Sequence, residues 1–469
     1  MGLPGHARSA RALPALSALV AAFSLCSLLA TACTPQLPGA TASPSPELPE
    51  LRVTWFTEGP DLLAIQELAQ QFQRQRKVRV KITLASYADI RGQLRSLAAS
   101  AEPPDVVRVA DVNEFRRELG DMRPYLKNPT AFTGQFFRPA MDHVIGKGPT
   151  VPGIPHELNL NGPLVNVDMF AKAGIKVPGA KDKPWTWEEL LANARRAQQA
   201  TGARHMIAFD RSAHRIATVL AQYDVRLFSP DGRKVGLEPT EKAAAVLKMF
   251  ADWHTQDQAP SGIWLVKGSR ASDFFVSGQV PVYFSGNWQV ADYAQARRNI
   301  RFRWAAMPNP CAVNCGGYPG GKFLVLLKRS RNPRLATELL QFLSTREAMA
   351  AYDRTAVTLP TRNDLKQQGL RYSRQADMDV YLADLARTAE WTYTDSYHPL
   401  FSPLSALIED TMAEVIAGTK TPEEAIARIR AEGDRRLVQT GLGPSPSPSA
   451  SPSPEPEAEE AEAPVDGGK

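Results

Sequence analysis

At 469 residues the chain is too long for one hydrophobic core and suits two or three domains. A hydrophobic content of 43% with 22% charged residues excludes a disordered or fibrous chain. The formal charge of +6 admits nucleic acid, an anionic solute or an anionic membrane surface as partners, beside the plainer reading of Arg-rich solvated helix faces.

The two ends do not belong to the folded body. Residues 1–33 carry Arg8 and Arg11, then an uncharged apolar run over 13–30, then Ala30-Thr31-Ala32-Cys33. That is the pattern of a secretory signal with a processing site. A membrane anchor is the competing reading, but the run lies near the lower length limit for spanning and no basic cluster follows it. Leu29-Ala30-Thr31-Ala32-Cys33 resembles a bacterial lipobox, which implies that Cys33 carries lipid and anchors the protein outside the cytoplasm. Residues 34–50 are rich in Pro and Ser and suit a semi-extended tether. Residues 444–469 are Pro/Ser-rich and then acidic, with Glu455, Glu457, Glu459, Glu460, Glu462 and Asp466 against Lys469. This tail is expected to be disordered. Export also removes nucleic acid from the expected partners. Cys26 leaves with the signal. Cys311 and Cys315, in PNPCAVNCGGYPGG over 308–321, are expected to form a local disulfide. A zinc half-site would need further Cys or His nearby in sequence, so no metal is expected.

In chain order, residues 51–56 alternate as a strand, and Ile65, Leu68, Ala69 and Phe72 mark one face of a helix. Val78, Val80, Ile82 and Leu84 give a second strand, Ile90, Leu94 and Leu97 a second helix, and 105–109 a third strand. Strand, helix, strand, helix, strand predicts a mostly parallel sheet with helices on both faces. Its ligand crevice lies at the carboxyl ends of the strands, here 57–61, 86–87 and 110–113. Residues 153–167 are extended and Pro-flanked, and lead into a short helix stopped at Gly174. Thr186 with Glu189 is a capping box that opens a helix closed by Gly202. A short strand over 206–209, a helix over 240–253, a strand and Gly-Asn-Trp corner ending at Trp288, and a buried strand over 318–327 follow. Asn332-Pro333 caps a further helix, Leu359-Pro360-Thr361-Arg362 is an extended break, and the rest is helical, with a second capping box at Thr421 and Glu424.

Several motifs in this order resemble the extracellular solute-binding proteins of ABC importers, in the carbohydrate-binding group that includes maltose-binding protein. They are VTWF at 53–56, Pro104 to Val107, and Gly153-Ile154-Pro155 with Asn166 eleven residues past that Pro. WTWEEL at 185–190, SGQVPVYFSGNW at 277–288, Gly316-Gly317, Ser344 to Glu347 and Leu359 to Arg362 complete the set. The resemblance covers nearly all of 51–437. One departure is Leu164-Val165, where the family usually has aromatics. The resemblance implies an α/β fold of two lobes, periplasmic-binding-protein-like of type II, each lobe a mostly parallel sheet flanked by helices. The expected division is 51–157 with 318–360 in the first lobe and 158–317 with 361–443 in the second.

A sugar site needs apolar rings for C–H faces and planar polar groups for hydroxyls. The resemblance places Trp288 as a stacking ring and Asn159 as a polar contact. Glu58 and Asp61 after the first strand, Asp111 after the third, Tyr318, Arg362 and Trp391 are the further candidates, each with a turn, cap, pairing or core role as its plainer reading. His156 and Glu157 could touch ligand or line the hinge. Tyr393 and Trp264 are weaker aromatics, and Trp55 and Trp187 read as core. No Gly-x-Ser-x-Gly elbow, His-Glu-x-x-His or Walker loop is present, so no enzyme activity and no cofactor are expected. The expectation is a lipid-anchored, monomeric sugar receptor that closes on its ligand and delivers it to a membrane permease. The alternatives are an anionic solute such as a uronate or glycerol phosphate, an exported polysaccharide-active enzyme, and a sensor or scaffold with a degenerate cleft.

Overall fold

The computed structural model describes residues 48–57, 59–295 and 299–443. The signal, Cys33, most of the tether and the acidic tail lie outside these residues. Eight strands are present among them: β1 Glu50–Trp55, β2 Arg79–Leu84, β3 Val106–Val109, β4 Gly153–Asn166, β5 Ile207–Phe209, β6 Val282–Gly286, β7 Trp304–Ala306 and β8 Pro319–Leu326. They form one path, β2-β1-β3-β8-β4-β6-β5, with β7 paired to β4.

The βαβαβ unit is present as read. Helix Asp61–Arg76 joins β1 to β2 and helix Tyr87–Ala99 joins β2 to β3, with β1 parallel to both its neighbours. The whole sheet, however, is mixed rather than mostly parallel. β5 and β6 are parallel, whereas β8 runs antiparallel to β3 and β4, and β6 and β7 run antiparallel to β4. The reason lies in the two long connections. β4 leaves the first lobe and β8 returns to it, so they lie side by side in opposite directions. β4 is fourteen residues long and buried throughout. Its first half pairs with β8 and its second half with β6 and β7, so one strand belongs to both lobes.

The core falls into two clusters. The first gathers β1, β3, the helices on either side of them and Phe323 to Leu327. The second gathers Leu164, Val165, Phe170, Trp187, β5, β6 and the helices from Leu400 to Leu437. Each fully buried Leu, Val or Phe contributes about 1.5–3 kcal/mol. Leu365, Tyr372, Met378, Tyr381 and Tyr393 belong to the first cluster, although the sequence-based division placed 361–443 with the second lobe. Helical periodicity shows that a helix has an apolar face; it does not say which lobe that face meets.

The capping boxes form as the sequence suggests. Thr186 Oγ1 accepts from Glu189 N at 3.1 Å while Glu189 Oε2 accepts from Thr186 N at 2.8 Å. Thr421 and Glu424 repeat the arrangement at 3.2 and 2.9 Å. Asn332 precedes its helix but makes no side-chain cap; its amide instead donates to the Glu50 carbonyl at 3.1 Å. No described helix is long and apolar enough to cross a membrane.

Candidate functional site

A cavity of about 300 Å³ opens between the lobes. Its floor is the crossing pair β4 and β8, which supply Asn159, Asn161 and Gly320 to Lys322. The first lobe adds Asp111 from the loop after β3, and His143. The second adds Arg215 after β5, Trp288 after β6, and Phe401, Ser402, Ser405 and Glu409 from helix Phe401–Ile416. Asp111, Arg215 and Trp288 therefore follow the carboxyl ends of strands, where α/β sheets hold ligands, while the floor residues lie within the crossing strands themselves.

Each group is set by its local structure. Asp111 Oδ1 accepts from Asn113 N at 2.9 Å and lies 3.5 Å from His143 Nε2. That His143 nitrogen accepts from Val112 N at 3.3 Å, so the ring is neutral. Burial, with Arg116 adding to it, lowers the His143 pKa to about 3. His143 stacks on Tyr397 with ring centres 4.5 Å apart. The Asn159 amide is satisfied when its oxygen faces Lys322 Nζ at 2.9 Å and its nitrogen faces the Leu158 carbonyl at 3.0 Å. Asn287 pins the Gly-Asn-Trp corner to β4: its Oδ1 accepts from Leu160 N at 2.8 Å, and its N donates to Leu160 O at 3.1 Å. His214 meets Phe401 edge to face at 4.5 Å, and burial, then Arg215 and Lys322, lower its pKa to about 3.

The buried charges at this site alternate in sign. Arg215 Nη2 lies 3.0 Å from Asp210 Oδ2. Under the floor, Arg108 Nη2 lies 2.6 Å from Glu157 Oε1 and Arg108 Nη1 lies 3.5 Å from Asp61 Oδ2. Burial pushes the Glu157 carboxyl up, but Arg108, His156 and Lys322 more than reverse this and hold it well below the usual carboxylate range. Lys322 thus faces a carboxylate on its core side. Glu409 Oε1 accepts from Ala213 N, 2.9 Å away at the start of helix Ala213–Gln222, a favourable place for an anion.

Of the candidates from the sequence, Asp111, Asn159 and Trp288 line this cavity, and Glu58 lies outside the described residues. The others are placed elsewhere. Asp61 is buried at the start of a helix, where it accepts from Trp55 Nε1 at 2.8 Å and Thr57 Oγ1 at 2.9 Å. Tyr318 sits behind the lining, with its ring 5.6 Å from Phe401 and 6.1 Å from His214. Arg362 is spent on Asp364, Gln135 and the Ser344 carbonyl. Trp391 lies under the Arg226 guanidinium at 4.7 Å. His156 and Glu157 are core residues: Glu157 also accepts from Tyr352 OH at 2.7 Å, and the His156 ring lies 4.2 Å from that tyrosine. Tyr393 and Trp264 are buried too, in the first and second clusters. Cys311 and Cys315 are joined in a disulfide, whose loop is held to the second lobe by Cys311 N to Trp185 O and Asn314 N to Gln222 O, both 2.8 Å.

Sequence reasoning passed over Arg215, His214, Lys322 and the helix face of Phe401, Ser405 and Glu409. The last did carry a signal. Those three residues recur every fourth position, so a polar stripe with one aromatic shares one face of the helix.

Two lobes joined by crossing strands, with a lined cavity between them, define a ligand-binding protein of the hinge-closing class. The chain belongs to the family of bacterial extracellular solute-binding proteins, which its residues 67–379 match. A binding protein of Brucella abortus (strain 2308) is 22% identical over 317 residues, covering 65% of this chain and 72% of that one. The diacetylchitobiose binding protein DasA of Streptomyces coelicolor is 20% identical over 400 residues, covering 80% and 86%. The GacH receptor of Streptomyces glaucescens, solved unliganded and with acarbose, shares the fold with a TM-score of 0.68 at 19% identity, covering 85% of this chain and all of that one.

Proposed function

We propose that this protein is the substrate-binding receptor of an ABC importer and that its interlobe cleft holds a neutral sugar or short oligosaccharide. The observation that carries the reading is the lining itself: amides, hydroxyls and aromatic rings around about 300 Å³, with its buried cations already facing carboxylates. That volume is at the small end of ligand clefts. Amides and hydroxyls match a ligand whose hydroxyls both donate and accept, and Trp288, Tyr397 and Phe401 supply apolar surface. The relatives named for diacetylchitobiose and solved with acarbose support the same class.

The anionic alternative is weaker on this lining. Arg215 is opposed by Asp210 and Lys322 by Glu157, while His143 and His214 are neutral at physiological pH. An anion would enter a site with no surplus positive charge. Ligand would favour the closed state, in which both lobes contact it, and the closed form would dock on a permease. Cys33 is the proposed lipid anchor, and the chain acts as a monomer without catalysing a reaction.

The test is the melting temperature in a panel of neutral sugars, uronates and sugar phosphates. A ligand at a hundred times its Kd stabilises by about 2.7 kcal/mol, a readable shift. A shift with neutral sugars is expected. A shift confined to the anionic members, or turnover of any member, overturns the reading.

A further inference from the structure

The Cys311–Cys315 bridge closes a loop whose two legs grip β4 at a single residue, Asn161. On the leading leg, just before Cys311, Asn309 Nδ2 donates to the Asn161 carbonyl at 2.8 Å. On the trailing leg, just after Cys315, the Tyr318 carbonyl accepts from Asn161 N at 3.2 Å. Gly317 comes so close that a Cβ there would stand 2.0 Å from the Asn161 carbonyl oxygen. The same loop is pinned to both lobes. Cys311 N and Asn314 N donate to Trp185 O and Gln222 O on the second-lobe side. Cys315 makes a β-bridge with Thr388, directly after helix Gln375–Arg387, whose Met378, Tyr381 and Leu385 belong to the first core. Thr388 Oγ1 also donates to the Gly317 carbonyl at 3.3 Å.

Asn161 is where the floor of the cleft meets its second-lobe wall. Its Oδ1 accepts from Arg215 Nη1 at 2.5 Å, and Arg215 Cζ lies 5.0 Å from the centre of the Trp288 ring. Its neighbour Leu160 holds the corner that carries Trp288, through the two bonds to Asn287. The trailing leg runs on into Gly320 to Lys322, which are floor residues too. A shift of the legs therefore moves the floor together with the half-buried Trp288 ring. We infer that the Cys311–Cys315 disulfide is a positioning element of the ligand cleft, holding the two legs on Asn161, and that sugar affinity depends on its oxidation state. The inference rests on the reading of the cleft as a sugar site. With the bridge broken the legs are free to part, and single hydrogen bonds of small net strength are left to hold Asn161. The bridge is within reach of reagents, since Ala312 and Val313 at the loop tip are exposed and both cysteines are half-buried. A small dithiol reduces it: the S–S bond breaks, each cysteine sulfur gains one electron and one proton, and the dithiol gives up two of each as it closes to its own disulfide.

The experiment compares oxidised protein, protein held reduced in excess dithiol, the paired change Cys311→Ser with Cys315→Ser, and Gly317→Ala. Calorimetric titration uses the neutral sugar that shifts the melting temperature most. Reduction and the serine pair should each weaken its binding about two- to tenfold. Gly317→Ala spreads the legs with the bridge intact, so it should lose a similar factor, and reducing that variant should cost little more because both changes act on one grip. Hydrogen exchange without ligand separates positioning from general loosening. On reduction the Asn161 amide should exchange about tenfold faster, while amides of β1 and β2, at the far edge of the sheet, keep their rates. Circular dichroism first establishes that each variant folds, and the reduced protein and the serine pair carry the test if Gly317→Ala does not. Equal affinity with and without the bridge overturns the inference. So does a second full loss on reducing Gly317→Ala, or exchange that rises uniformly across both lobes. A wild type that binds no sugar in the panel removes the carbohydrate reading instead, and the exchange pattern alone then decides whether the bridge positions Asn161.

Discussion

At Gly286 the chain has no room for a methyl group. A Cβ there would meet two atoms of the Trp288 ring at 2.1 and 2.3 Å and the Leu160 carbonyl oxygen at 2.8 Å. Gly286→Ala should therefore push the indole out of the cleft wall, at an overpacking cost of about 1–3 kcal/mol. Ligand affinity should fall at least tenfold and tryptophan emission should shift; unchanged affinity would show that the indole does not shape the site. Asp395 makes a pH prediction. It is buried and accepts from Leu227 N at 2.8 Å. Burial raises its pKa from 3.8 to about 7, against the opposing pull of backbone amides and Arg226. The folded state then takes up a proton near pH 7, whereas the unfolded state waits until near pH 4. Stability from this group is thus highest on the acid side and is lost as pH rises through that window. Asp395→Asn removes the effect. Relative to wild type, the variant should gain about 2 kcal/mol between pH 5 and pH 8 in urea unfolding. A difference independent of pH would contradict the assignment.

Helix Trp187–Thr201 shows what an element owes to its own sequence. Thr186 and Glu189 satisfy one orphan amide each at its start, and Gly202 ends it at a φ of 69°. Thr186→Ala should cost about 1 kcal/mol through that cap alone. The urea midpoint should fall with an unchanged m-value, and ligand affinity should stay constant because the cap does not line the cavity. A variant as stable as wild type would mean that the end is held by packing instead. Elements of this kind were legible because their signals are local: the alternation of β2, the apolar face of Ile65, Leu68, Ala69 and Phe72, and the capping boxes all lie within a few residues. The site was legible at Trp288 after Gly286-Asn287 and at Asp111 after β3, where a local corner carries the side chain, and at Asn159, which the family resemblance placed on the first crossing. Arg215 and Lys322 escaped notice because their roles come from partners across the fold. Asn161 is 54 residues from Arg215 in sequence, and Glu157 reaches Lys322 only where β4 and β8 cross. Asp61 went the other way. A carboxylate in a loop after a strand suggests a ligand contact, but here Trp55 and Arg108 use it inside the core.

At the scale of the whole molecule, the balance between open and closed lobes should rest on few contacts. The Ser402 hydroxyl, on a helix of the second core, donates to the Glu114 carboxylate, which follows β3 in the first lobe. Such a charge-assisted bond contributes about 1.5–3 kcal/mol, a neutral one about 0.5–1.5. Glu114 does not line the cavity, so Glu114→Gln weakens the closing contact without touching ligand. The ratio of closed to open molecules should then drop about tenfold, and apparent affinity falls with the closed fraction, because affinity scales with the fraction of molecules already competent to bind. Small-angle scattering should find the ligand-free variant more extended than wild type. With saturating sugar both should reach the same compact form, since the ligand supplies contacts to both lobes. If the variant binds more weakly but its ligand-free dimensions match wild type, Glu114 acts on the site locally and the hinge equilibrium is set elsewhere, with the β4–β8 crossing as the next place to probe.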